Sequence, residues 1–307
     1  MISKKRRLIL LLAATSPLNP ALAWADNATE RYTLHLGVVN ERANQPDYVL
    51  AQYAPLLDYL RRQLNPKGIA VGELRIAKDI AELAGLIRTG KVDFILESML
   101  STFRINASRI LVEPSLAAWR KGRRETSTVF FVRQSSHIKQ LRDLAGRTLA
   151  LESPRSTTAY ALPKIVLRQH GLVVEPVSAS NGGSKSVRYV LADSEANQAY
   201  WVDRGRADAG AFNSGDWEQL PTGLRQGLRI IHTTETILRW LMSVRTQLQP
   251  SVLQPLETAL LEMHSSTEGI MALQQAENIS RFDRLNGEDL LSLQNWRAIA
   301  TPLRFGE

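Results

Sequence analysis

Two stretches carry the same local plan: IRTGKVDFIL at Ile87–Leu96 and VDRGRADAGAF at Val202–Phe212. Each reads as a helix end, a glycine, a basic residue, a small or β-branched residue, an aspartate and then an apolar strand. Gly90 and Gly205 suit the left-handed position that ends a helix, where a side chain would be strained. The echo implies two lobes of similar plan, the second inserted in the first.

The flanking sequence fits that plan. YTLHLGVV at Tyr32–Val39 reads as a first strand, and Val49, Leu50, Tyr53, Leu56, Leu57, Leu60 and Leu64 recur at helical spacing over Tyr48–Leu64. Val71–Ile76 is predicted as a strand, Ile80–Arg88 as a helix, Val92–Leu96 and Val129–Val132 as strands, with a polar crossing near Gln134–Ser136. The alternation resumes with a short helix at Leu141–Leu144, a strand at Thr148–Leu151, a helix at Ala159–Arg168, a strand at Arg188–Leu191, a helix at Ala196–Val202 and a strand at Ala207–Phe212. Leu228–Thr233 closes the second lobe and Ile237–Val244 returns to the first, on which the helices Leu253–Met263, Gly269–Gln275 and Leu290–Trp296 are expected to pack. Strands alternating with helices at this pace define an α/β fold with mixed, mostly parallel sheets and two hinge crossings. The expected lobes are 26–133 with 234–307, and the inserted 134–233.

Residues 1–25 are of another kind. Lys4–Arg7 are basic, Leu8–Ala14 apolar, and Ala21, Ala23 and Ala25 are small, which is the layout of a secretory signal peptide cleaved after Ala23 or Ala25. No later stretch reaches the roughly 20 apolar residues of a spanning helix. The sequence contains no cysteine, hence no thiolate metal site and no lipid attachment point. These features predict a soluble periplasmic protein without stable membrane insertion. Without Lys4, Lys5, Arg6 and Arg7 the 38 basic residues become 34 against 30 acidic, and the formal charge of +8 falls to +4. Basic clusters such as Lys121–Arg124 are brief and lack interleaved aromatic residues, which argues against nucleic acid as a partner.

No catalytic signature is present: no GxSxG elbow, HExxH, Walker A loop or GxGxxG after a strand. His35, His137, His170, His232 and His264 are isolated in the sequence. The chain therefore reads as a binding protein without enzyme activity, metal or cofactor. In α/β sheets the binding loops follow the carboxyl ends of strands, here Val38–Tyr48, Glu97–Thr102, Ser153–Tyr160, Asp193–Asn197 and Asn213–Trp217. Ser153–Tyr160, SPRSTTAY, places three hydroxyls, Ser156, Thr157 and Thr158, where a strand gives way to a helix. That is a seat for an oxyanion, or an ordinary helix cap with two solvated neighbours.

Several segments in order, LGVVNERANQPDYVLAQYAPLLDYL, TGKVDFILESMLSTF, DLAGRTLALESPRSTTAYALPKIVLRQHG, GRADAGAFNSGDW and ENISRFDRLNGEDL, make the chain resemble the phosphonate/phosphite/phosphate-type periplasmic substrate-binding proteins. The resemblance implies a two-lobed type II periplasmic binding fold that closes on a small molecule and delivers it to an inner-membrane ABC permease, or alternatively reports it to a membrane sensor kinase. It implies ligand contacts from Ser156, Thr157, Thr158 and Tyr160, from Tyr48 at the start of the first helix, and from Asp208, which by its local sequence equally reads as the anchor of the turn at Gly205. Ser98 and Ser194 fall in the corresponding loops of the two lobes.

Two departures bear on the ligand. Where the family carries an aromatic residue after its Asp-Phe, this chain has Leu96 followed by Glu97, and where the family has Gly-Ser-His-Asp it has Ser194 followed by Glu195. A carboxylate beside an oxyanion is unfavourable unless it is protonated, paired with an arginine or turned to a cationic group of the ligand. Arg104, Arg155 and Arg188 are the arginines in question. The ligand expected from these changes is phosphonate-like or zwitterionic, with hydroxyls on its anionic end and Glu97 or Glu195 on an amine. Each glutamate also reads as a surface ion pair or a cap. The polar stretch Ser178–Arg188, with Gly182–Gly183, reads as a solvated loop or a rim of the cleft.

Overall fold

Asp93 and Asp208, the aspartates of the two echoing stretches, make the same pair of backbone contacts. The Asp93 N–H donates to the His35 carbonyl at 2.9 Å, and its Oδ2 accepts the His35 N–H at 2.9 Å. Asp208 repeats this with Thr148, donating at 2.9 Å and accepting at 2.8 Å. Each carboxylate thus fixes the start of one strand, Phe94–Glu97 or Ala209–Asn213, against the start of a parallel neighbour, Leu36–Val39 or Thr148–Leu151. Gly90 and Gly205 precede them with φ of 72° and 70°. Asp208 is therefore the anchor of its turn, at the opposite end of the strands from their carboxyl termini.

The computed structural model describes residues 32–40, 46–179, 183 and 185–300. The expected signal peptide lies outside them, as do parts of the Val38–Tyr48 and Ser178–Arg188 loops. Two six-stranded mixed sheets form the two lobes. The first runs, in spatial order, Ile279–Arg284, Val112–Arg120, Trp240–Arg245, Phe94–Glu97, Leu36–Val39 and Arg75–Ala77. The second runs Val174–Pro176, Val187–Leu191, Thr148–Leu151, Ala209–Asn213, Thr128–Arg133 and Leu228–Thr233. Each sheet has a parallel part built from strand–helix units and an antiparallel part contributed by the strands on either side of the crossings and, in the first sheet, by Ile279–Arg284. Parallel pairing is accordingly less dominant than the alternation of elements implied.

The first crossing differs in place from the expected one. Thr128–Arg133 pairs with Ala209–Asn213 and Leu228–Thr233, so it belongs to the second sheet, and a lobe boundary at 133 falls one strand too late. Thr128 through Val132 are buried, as an interior strand requires. The polar residues Gln134–Ser136 form a turn, with the Ser136 N–H on the Arg133 carbonyl at 2.9 Å. The chain crosses instead at Glu125–Thr126 and returns at Ile237–Leu238, and the two segments pair antiparallel as a short ribbon. Thr234 braces the ribbon: its Oγ1 accepts the Thr128 N–H and its own N–H reaches the Thr128 carbonyl, both at 2.9 Å.

Two strands are invisible to alternation. Val112–Arg120 carries Pro114 and a bulge opposite Met242 and Ser243, and Ile279–Arg284 is a polar edge strand with only Ile279 and Phe282 buried. Pro250–Glu262 and Thr267–Glu277 pack on the first lobe through Val252, Leu256, Leu260, Leu273 and Ala276. The last helix, Gly287–Ala300, does not stay there. Leu293, Trp296 and Ala300 recur on one face and join a core with Phe130, Leu162 and Val166 of the second lobe. A bidentate pair at 2.7 and 2.6 Å ties its Asp289 to Arg124, just before the first crossing, and holds the Asp289 carboxyl below the usual range.

The shared role of the two aspartates has unequal weight. Asp208→Ala should cost about 1.5–3 kcal/mol, the loss of one charged hydrogen bond. Asp93→Ala should cost more, about 3–5 kcal/mol, because Arg245, 3.0 Å from Asp93, is also left without its carboxylate. Urea unfolding of both variants checks this, and equal losses would contradict it.

Candidate functional site

The strands Leu36–Val39, Phe94–Glu97, Thr148–Leu151 and Ala209–Asn213 point their carboxyl ends at one cleft between the sheets, as the topology requires. Its main cavity, about 640 Å³, takes residues from both lobes and both crossings. A smaller one of about 300 Å³ adjoins it, sharing Glu97, Arg120, Lys121 and Trp240.

Hydroxyls from the two lobes meet here. Ser98 caps the helix Met99–Ile105, its Oγ accepting the Ser101 N–H at 3.2 Å, and the same Oγ lies 2.7 Å from Thr157 Oγ1. Ser156 caps the other side, accepting the Ala159 N–H at 3.1 Å. The predicted helix Ala159–Arg168 begins as a π turn over Thr157–Ala161 and becomes α-helical at Leu162–Gln169. Pro163 explains how that turn is secured: without an N–H it cannot serve the carbonyls one turn back. Thr128 Oγ1 donates to the Thr158 carbonyl at 2.7 Å, and the Glu152 N–H donates to the Ala159 carbonyl at 3.0 Å. The hydroxyl loop is thereby fastened to the strand that follows the first crossing, while its first N–H groups have no intrahelical acceptor.

Carboxylates share the cavity. Glu97 is buried at the end of its strand, and Arg104 is drawn electrostatically to it. Glu195 opens the helix Glu195–Asp203 and lines the cleft with Glu152. Burial first, and the neighbouring Glu152 charge second, push its carboxyl up to about 7 from an ordinary 4.5. Asp216 lies 3.9 Å from Lys121. Arg120 is held by Glu277 at 2.7 Å and stacks on the Trp240 ring, 4.3 Å from its centroid.

Of the expected site residues, Glu97, Ser98, Ser156, Thr157, Thr158 and Glu195 line the main cavity, and Tyr48 lines the adjoining one. Tyr160, Ser194 and Asp208 are not among the lining residues. The Tyr160 hydroxyl lies 3.1 Å from that of Tyr189 and accepts from Lys164 Nζ at 3.1 Å. Ser194 caps its helix, accepting the Asn197 N–H at 3.1 Å, and Asp208 anchors a turn. Sequence reasoning missed Lys121, Arg239 and Trp240. All three flank the crossings, so they become legible only once the crossings are correctly placed. Among the described residues, no group of three or more histidine or acidic side chains is arranged to hold a metal ion, and no helix is long and apolar enough to cross a membrane.

This architecture is that of the type II periplasmic binding proteins. The family model described as "ABC transporter, phosphonate, periplasmic substrate-binding protein" matches residues 42–290, and the chain belongs to that family. The family is one of binding proteins, serving ABC transporters, and is not catalytic. Among solved structures, the chain is similar to the Xanthomonas citri protein XAC2383. Bound to chloride, that protein is 31% identical with a TM-score of 0.78; bound to ATP, 30% with 0.77; each match covers 89% of this chain and 98% of that one. PhnD1 of Prochlorococcus marinus, in complex with methylphosphonate, shares the fold at 19% identity and a TM-score of 0.60, over 90% of this chain and 99% of that one.

The buried glutamate makes a pH-dependent prediction. Between pH 4.5 and about 7 the folded chain keeps a proton on Glu195 that the unfolded chain releases, so this group's contribution to stability falls as pH rises through that window. Glu195→Gln should therefore raise the melting temperature relative to the parent at about pH 8, with the gain shrinking toward about pH 5. A gain independent of pH, read by calorimetry, would contradict this origin.

Proposed function

We propose that the protein captures, in the periplasm, a small zwitterion carrying a phosphonate-like group, and delivers it to the permease of an ABC transporter. The observation that carries this reading is the meeting of Ser98 and Thr157 at 2.7 Å in the same cavity as Glu195 and Glu152. Hydroxyls and free helix N–H groups suit the oxyanion, while two carboxylates, one with a raised pKa, suit a cation that relieves their repulsion. Capture without chemistry follows from the hinge: a solute touching Ser98 in one lobe and Ser156–Thr158 in the other favours the closed arrangement of the two sheets about their ribbon. Exclusion of water then makes each buried hydrogen bond to a charged group worth about 1.5–3 kcal/mol. The basic and apolar layout of residues 1–25 supports export.

A second reading has its own support. The Xanthomonas citri relative is described bound to ATP, and the main cavity of about 640 Å³ with its neighbour of about 300 Å³ has room for a larger phosphate ester.

A thermal-shift comparison of 2-aminoethylphosphonate, methylphosphonate, inorganic phosphate and ATP separates the two, since a ligand confined to the folded state raises the melting temperature. The zwitterion should give the largest shift, and Thr157→Val should weaken its affinity about tenfold, the worth of one hydrogen bond. Stabilisation by simple dianions alone would overturn the proposal, and a shift confined to ATP would favour the second reading.

A further inference from the structure

The returning crossing brings two side chains, Arg239 and Trp240, to the wall of the cleft that nothing in the hydroxyl and carboxylate constellation employs. Arg239 joins the hinge segment Ile237–Leu238 to the strand Trp240–Arg245, and its backbone N–H is held by the Arg124 carbonyl at 2.9 Å. Its guanidinium is half-buried and lines the main cavity. Arg120 and Arg123 repel it; Glu195 and Asp216 attract it, yet neither forms an ion pair with it. Asp216 is engaged elsewhere, by Asn213 and Lys121. A desolvated guanidinium without a bound carboxylate is the side chain best suited to recognise one bidentately.

Trp240, next in the chain, lines both cavities and is 8% exposed. Its indole Nε1 is buried and has no hydrogen-bond partner. The ring is not free to turn away: the Arg120 guanidinium lies over it at 4.3 Å and is itself fixed by Glu277. An unsatisfied buried donor is costly until an acceptor arrives.

We propose that Arg239 and Trp240, together with Glu195, form a seat for an α-amino carboxylate, so that the solute is an amino acid whose side chain ends in a phosphonate or phosphate group. An α-amino acid sets an ammonium and a carboxylate on one carbon. Recognition then needs an acid and a base close together but unpaired with each other, which is the relation of Glu195 to Arg239. The ammonium goes to Glu195 and Glu152, the carboxylate to Arg239 and the Trp240 N–H, and the phosphorus oxyanion to Ser98 and Ser156–Thr158. The assignment of the oxyanion rests on the reading given under Proposed function; that of the carboxylate is new. Because the seat lies on the hinge itself, a carboxylate there also bridges the ribbon to the second lobe.

Calorimetric titration of the full-length mature protein with 2-aminoethylphosphonate and with 2-amino-3-phosphonopropionate tests this, since the two differ by the carboxylate alone. The amino acid should bind at least about tenfold tighter. Arg239→Gln should bring the ratio of the two affinities to about one, and Trp240→Phe, which keeps the ring for Arg120, should lower it severalfold. Equal affinities in the parent protein, or a ratio unchanged in Arg239→Gln, would overturn the proposal; should that variant fail to fold, the parent ratio and Trp240→Phe decide. Binding of 2-aminoethylphosphonate without any gain from the carboxylate defeats this inference alone, whereas binding of neither compound defeats the head-group reading along with it.

Discussion

The antiparallel pairing of Glu125–Thr126 with Ile237–Leu238 is the constraint on which the rest depends. The two passages between lobes lie side by side, so the sheets rotate about one short ribbon. The same geometry sets the carboxyl ends of both parallel portions toward a single cleft. It also delivers Lys121, Arg239 and Trp240 into that cleft from the crossings, where no strand-end rule would place them. The last helix steadies the arrangement from outside, through the Arg124–Asp289 pair and the apolar face that reaches the second lobe. A ribbon of two residue pairs is a weak sheet by itself, and its persistence draws on these flanking contacts.

Inside the cleft, charge is nearly balanced but unevenly satisfied. Arg120 and Asp216 are engaged by protein partners, and Glu97 is offset by Arg104. Glu195 and Arg239 are the exceptions: burial and Glu152 raise the carboxyl pKa of one, and the other is desolvated beside Arg120 and Arg123. Groups in this condition cost stability in the empty protein and favour a solute that answers both. A simple dianion answers one. The hydroxyls carry no charge, so they receive an oxyanion without adding to the imbalance.

Much of this was legible in the sequence, and the reasons differ from one element to another. Gly90–Asp93 and Gly205–Asp208 announced the two-lobe plan because the left-handed cap and the strand latch both demand particular residues. Ser156–Thr158 could be found because it directly follows an apolar strand. The first crossing was misplaced, since a buried hinge-proximal strand such as Thr128–Arg133 looks the same whichever sheet it joins. Val112–Arg120 and Ile279–Arg284 lack alternation, one through Pro114 and a bulge, the other because it is an edge. The resemblance points Tyr160 at the ligand, but its hydroxyl is taken up by Tyr189 and Lys164, a long-range packing that the local motif does not reveal. The roles of Arg239 and Trp240 depend on long-range packing and leave no local pattern.

A solute that joins Ser98 of one lobe to Ser156–Thr158 of the other should hold the sheets closed about the ribbon. The chain has no cysteine, so Lys67→Cys with Arg204→Cys, both exposed and on different lobes, gives two clean spin-label sites. Pulsed electron spin resonance on that variant measures the distance between lobes directly. Saturating 2-aminoethylphosphonate should shift the distance distribution to one shorter, narrower population; a distribution unchanged at saturation would contradict the account.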